Sequence, residues 1–193
     1  TFPNYIFTFS NFWNNRTRLP LPKKNVIPVG WPYLEQKINY YKTKRDKSEK
    51  ITILFVSQGV IGKKLSKEAV ELSKMINKES FEIIYKLHPG EYYNWKNEYP
   101  WLNESDINVV DNNQHDIHFF LAKSDIQVGV SSTALFEGLE YNLITLIYRF
   151  PLAEYMEDLM ELDNVNYIDR SEEIVDLLRK YHDIEVNPLD KTS

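Results

Sequence analysis

From Ile51 to His182, apolar stretches too short to be helices alternate with longer segments whose apolar residues recur at helical spacing. That alternation restricts the fold more than any other feature of the chain. ITILFVS (51–57) is a continuous apolar run rich in β-branched residues and is followed by Gly59 and Gly62, the pattern of a strand buried on both faces. LSKEAVELSKMI (65–76) has apolar residues at 65, 69, 72 and 76 with charges between them, which predicts an amphipathic helix. The same reasoning predicts strands at FEIIYKL (81–87), INVV (107–110), DIQVGV (125–130), LITLIYRF (143–150) and YID (167–169). Helices are predicted at 92–101 (stopped by Pro100), 115–122, 133–141, 152–162 and 171–182. About six strands in this alternation imply right-handed βαβ units and therefore an α/β fold with a doubly wound, mostly parallel sheet.

Residues 1–45 follow a different pattern. They hold Pro3, Pro20, Pro22, Pro28 and Pro32, and the short extended candidates YIFTF (5–9) and NVIPVG (25–30) have proline inside or beside them. Proline cannot donate to a ladder, so these are predicted to be edge strands or loops of an irregular N-terminal extension. A short helix is expected over 33–41, followed by a polar linker over 42–50. The division expected from this is 1–45 as the end of a preceding domain with its linker, and 46–193 as the sheet domain. The chain also opens at Thr1, inside an extended run and without Met, so it is expected to be a fragment of a longer protein.

Composition excludes several function classes. The net charge is −5 and the basic residues Lys42, Lys44, Arg45 and Lys47 are interleaved with Asp46 and Glu49, so no phosphate-facing stripe for nucleic acid is present. Cysteine is absent, which removes thiolate nucleophiles, cysteine zinc sites and disulfides. No apolar run approaches the ~18 residues of a transmembrane segment.

In a doubly wound sheet, ligands collect beyond the carboxyl ends of the strands, so the residues just after each strand carry the functional information. After the fifties strand, Gly59 and Gly62 allow close backbone approach to a ligand, a pattern that equally fits a flexible turn and is neither a dinucleotide fingerprint nor a P-loop. After the eighties strand comes His88, held extended by Pro89, with an imidazole able to donate to a phosphate oxygen. Asp111 to His115 form a polar loop, and His115 and His118 are three apart, a spacing that suits packing better than metal because no further carboxylate is arranged around them. After Val130, the hydroxyl residues Ser131, Ser132 and Thr133 lead into a helix, a corner where unpartnered amides attract an anion. Glu137 lies one turn on from Thr133, and a carboxylate beside an anion site is best explained by ribose hydroxyls. The acidic residues Glu154, Glu157, Asp158 and Glu161 read as a solvated helix face.

Lys86-Leu87-His88-Pro89 at one strand end, followed by Ser131-Ser132-Thr133 with Glu137 at a later one, resembles the C-terminal donor-binding domain of GT-B glycosyltransferases. The closest likeness is to bacterial capsule and teichoic acid enzymes, including glycerophosphotransferases, and to bacterial sialyltransferases with a His-Pro motif. Val29-Gly30-Trp31-Pro32 is similar to the segment that often precedes that domain. The resemblance implies a Rossmann-like domain in a cytoplasmic, metal-independent transferase with no cofactor, whose donor is a CMP-, CDP- or UDP-linked sugar. Association with the inner face of the membrane is left open for a full-length protein. By that analogy His88 is catalytic, Ser131, Ser132, Thr133, Gly59 and Gly62 surround the donor phosphate, and Glu137 takes the ribose. The glycan acceptor and the general base are expected on a missing N-terminal domain, so this chain alone is expected to be inactive. A nucleotide-sugar epimerase of the same architecture and a non-catalytic binding module are the alternatives.

Overall fold

The computed structural model describes residues 3–11, 14, 19–43 and 48–182. Contacts divide the chain into two compact units, Thr1–Tyr40 and Tyr41–Ser193. In the first, strands β1 (Ile6–Thr8) and β2 (Val26–Pro28) pair in parallel, with Phe7 opposite Ile27, as a two-stranded sheet. Gly30 then turns the chain at φ 77°, and helix α1 (Pro32–Lys42) opens on a proline, which has no N–H to leave unpaired. Part of the predicted polar linker, residues 44–47, lies outside the described residues.

The second unit is built on a six-stranded parallel sheet in the order β5–β4–β3–β6–β7–β8. The strands are β3 (Ile51–Val56), β4 (Phe81–Lys86), β5 (Asn108–Val110), β6 (Ile126–Gly129), β7 (Ile144–Tyr148) and β8 (Val165–Ile168). Counted within this unit the order is 3-2-1-4-5-6, the doubly wound arrangement whose switch point lies between β3 and β6. β3 is central because its residues suit burial on both faces: Ile53, Leu54 and Phe55 are fully buried. The helices are α2 (Gly62–Met75), α3 (Trp95–Glu98), α4 (Pro100–Asn103), α5 (Ile117–Lys123), α6 (Thr133–Leu139) and α7 (Ser171–His182). At the start of α7 the Ser171 hydroxyl donates to the Glu68 carbonyl (2.9 Å) on α2 and is hydrogen-bonded to the Tyr148 hydroxyl (2.8 Å) at the end of β7, which joins helix to sheet.

The structure departs from the sequence reading in two places. The helix expected over 92–101 is two short helices, because Pro100 opens α4 at the first-turn position where its missing N–H costs nothing. The helix expected over 152–162 is a 3-10 helix, Ala153–Leu159, entered through Leu152 in the left-handed region at φ 81°. Its buried residues are Ala153, Met156 and Leu159, a period of three, which a 3-10 helix stacks on one side and an α-helix does not. Glu154, Glu157, Asp158 and Glu161 face solvent, as expected.

One buried amide joins β6, β7 and α6. Gln127 is fully buried, and its Nε2 donates to the Leu135 carbonyl and to Thr145 Oγ1, both at 2.8 Å. Its side chain fills the space that a Cβ on Gly138 would need. Gly138→Ala is therefore expected to destabilise the protein by about 1–3 kcal/mol, read as a lowered urea midpoint with unchanged slope.

Candidate functional site

The strand register sets the site. Val56 on β3 is level with Lys86 on β4, and Phe55 is level with Val128 on β6, which puts Val56 level with Gly129. Continued by two residues, that register makes Gln58, His88 and Ser131 counterparts past the carboxyl ends of three neighbouring strands, and hydrogen bonds join Gln58 to Ser131. With strands about 4.8 Å apart, the ends of β4 and β6 lie roughly 10 Å from each other, on either side of β3.

On the β4 side, His88 is exposed and extended (φ −66°, ψ 143°), as the following proline requires. Its Nδ1 accepts a hydrogen bond from the Gly90 amide at 3.1 Å. Neutral His88 therefore carries its proton on Nε2, and that N–H is a donor. In turn the Glu91 carboxylate accepts from the His88 amide (Oε2, 2.7 Å), completing a capping box over the 3-10 turn Pro89–Glu91. Glu91 is buried, and its Oε1 accepts from Ser57 Oγ (3.0 Å) and from the Tyr99 hydroxyl (2.8 Å). Tyr85 donates to Ser57 Oγ at 3.1 Å from below. Burial pushes the titration of both tyrosines far up, so they remain neutral donors.

Lys86, two residues before His88, points into the interior and is bonded to the Leu87 carbonyl and the Tyr92 hydroxyl. Burial lowers its pKa, opposed by Asp111 and Glu91. It serves the framework.

The glycines expected to line the phosphate side separate here. Gly59 is exposed, with open space where a Cβ would stand. Gly62, by contrast, is buried at the start of α2, where a Cβ would collide with the Glu91 carboxylate and the Tyr99 hydroxyl. Its lack of a side chain makes room for a buried carboxylate.

On the β6 side, Ser131 is held by a residue that the motifs did not single out. Gln58 Oε1 accepts from the Ser131 amide (3.2 Å) and from Ser131 Oγ (3.1 Å), across the switch point. Ser132 is the N-cap of α6, its Oγ accepting from the Ala134 amide at 3.3 Å. Thr133, the first residue of the helix, is exposed. Gly129 lets this corner sit tightly, since a Cβ there would press on Leu135 at 3.1 Å.

Glu137 lies one turn further along α6, its side chain 15% exposed, with Oε2 3.3 Å from Nε2 of buried His118 on α5. His118 Nδ1 lies 3.3 Å from the Tyr141 hydroxyl, so the imidazole bridges two groups and fixes one oxygen of the carboxylate. His115 stacks on Phe119 at 3.9 Å instead of facing His118. Among the described residues no group of three or more His, Cys, Asp or Glu is arranged to hold a metal ion.

No protein-family model matches the sequence, and no curated protein sequence does so significantly. Solved structures do match. The wall teichoic acid polymerase TagF soaked with CDPG superposes with a TM-score of 0.59 at 13% identity, over 91% of this chain and 46% of that one. UDP-GlcNAc 2-epimerase from Neisseria meningitidis, bound to UDP-GlcNAc, gives 0.61 at 17%, over 92% and 53%. The C-terminal CMP-Kdo binding domain of WaaA from Acinetobacter baumannii gives 0.50 at 13%, over 76% and 86%. The fold is GT-B-like. This chain spans about half the length of the polymerase and the epimerase, and most of the isolated WaaA domain. Among the described residues no helix is long and apolar enough to cross a membrane.

Two expected outcomes follow from this geometry. Gly62→Ala is expected to lower stability by about 1–3 kcal/mol through overpacking, whereas Gly59→Ala is expected to stay within about 0.5 kcal/mol of wild type, both read by denaturant unfolding. Burial, and secondarily Asp116, raise the Glu137 carboxyl above its ordinary 4.5. The folded state therefore keeps that proton to higher pH than the unfolded state, and stability falls as pH rises from about 4.5 through the folded pKa. Glu137→Gln is expected to remove that decline when unfolding is measured across the same pH range.

Proposed function

We propose that this chain is the donor-binding domain of a GT-B glycosyltransferase that transfers a sugar or sugar-like group from a nucleotide-activated donor during surface-polysaccharide synthesis. The observation that carries the reading is the row formed by His88, Gln58 and Ser131 at the switch point of a GT-B-like sheet. A donor group on one side and a hydroxyl-rich helix entry on the other suit a phosphate lying across the end of β3. In this reading the Nε2–H of His88 donates to the phosphate oxygen on which charge develops as the bond to the sugar breaks. Ser132 and Thr133 hold the phosphate from the β6 side with hydroxyl donors, Ser131 joins them by exchanging its Gln58 partner for the phosphate, Gly59 leaves room for it, and Glu137 uses its second oxygen on the ribose. The acceptor and the base that deprotonates it belong to another domain, so this chain binds nucleotide without turnover. The reaction takes place in the cytoplasm and uses no metal or further cofactor.

The likeness to an epimerase supports a second reading in which the same site works on a free nucleotide sugar without any acceptor. Conversion of UDP-GlcNAc by a full-length protein in the absence of acceptor would favour it over transfer.

Titration of the purified chain with CMP, CDP, UDP and GDP tests what both readings share. At least one nucleotide is expected to bind in the millimolar range or tighter and to shift the His88 imidazole resonances. His88→Ala is expected to weaken binding roughly tenfold, the loss of one charge-assisted hydrogen bond. No binding by any of the four, with His88 unperturbed, would sink the nucleotide reading.

A further inference from the structure

We propose that Glu91 is a positioning residue that sets His88 towards a nucleotide phosphate, an inference that rests on the donor-binding reading above. The ring of His88 is exposed, so packing does not orient it and hydrogen bonds must. Those bonds form a chain that starts in the core. Glu91 is 6% exposed, and its carboxylate accepts from Ser57 Oγ (3.0 Å), the Tyr99 hydroxyl (2.8 Å) and the His88 amide (2.7 Å). A buried carboxylate without donors is costly, so these three contacts hold it in one place.

The fixed carboxylate anchors the turn Pro89–Glu91, and the Gly90 amide of that turn takes His88 Nδ1 at 3.1 Å. Nε2 is thereby left as the donor, pointed by the other nitrogen's bond. Gly62 completes the device, since any side chain there would displace the Glu91 carboxylate.

The two sides of the site are thus located by consecutive residues at the end of β3. Ser57 reaches His88 through Glu91, and Gln58 reaches Ser131 directly. A prearranged ring does not have to be ordered when the ligand arrives, which appears as affinity.

A double-mutant cycle separates this role from simple support of the fold. Affinity for CMP, CDP and UDP is measured by calorimetry for wild type, Glu91→Ala, His88→Ala and the double variant. Glu91→Ala is expected to weaken binding roughly three- to tenfold when His88 is present and to change nothing further when His88 is absent. Gly90→Ala provides a second route that leaves the buried carboxylate alone. Its site is exposed, and its Cβ would stand 3.3 Å from His88 Nδ1, so that the ring must shift by a few tenths of an ångström from its bond to the Gly90 amide. It is expected to weaken binding in the same His88-dependent way, including in the event that Glu91→Ala does not fold. Equal losses in both backgrounds, or no effect of Gly90→Ala, would overturn the proposal.

If wild type binds none of the three nucleotides, the donor reading fails, and positioning is judged on the free protein from the 15N resonance of His88 Nδ1. A shift of that resonance in Glu91→Ala or Gly90→Ala supports the proposal, and an unchanged resonance in both overturns it.

Discussion

Much of this site depends on one buried carboxylate. Glu91 is held by donors from the end of β3, the end of β4 and the loop before α4. Desolvating a carboxylate costs several kcal/mol unless its oxygens are satisfied, so the strand ends must converge on it closely. Gly62 follows from the same requirement, since the helix that starts beside a buried charge needs room; burial keeps Tyr99, which donates to the carboxylate, and Tyr85, which donates to Ser57 Oγ, in their neutral forms.

The sheet supplies the frame for this convergence. Because β3 is buried on both faces, it sits at the centre with the first crossover on one side and the second on the other. Its carboxyl end therefore opens on the crevice where the two halves diverge. The side chains that face that crevice differ in how they are held. His88 and Thr133 are exposed, Ser131 is tethered through Gln58, and Glu137 is gripped by His118.

The likeness to known structures lies at the level of fold, with identities of 13 to 17% in the three comparisons described. At such divergence the layers and the strand order persist because burial depends on polarity and size more than on residue identity. Individual site residues are not constrained in that way. The reading of function therefore rests on the chemistry of this chain's own side chains.

The sequence alone determined the layered plan, because a continuous apolar strand and a 3.6-residue helical period are local patterns that few other folds accommodate. It also determined which residues stand just past each strand, and so brought His88, Ser131, Ser132 and Thr133 into view. It misread 92–101 and 152–162, where proline position and a three-residue burial period override an apparent α-helical spacing. The tertiary structure decided the rest. Gln58 meets Ser131 across 73 residues and Glu91 meets Ser57 across 34, contacts created by strand register and invisible to any local pattern. In the same way only the packing of α5 on α6 made His118 the partner of Glu137, and only the buried charge beneath it gave Gly62 a role different from that of Gly59.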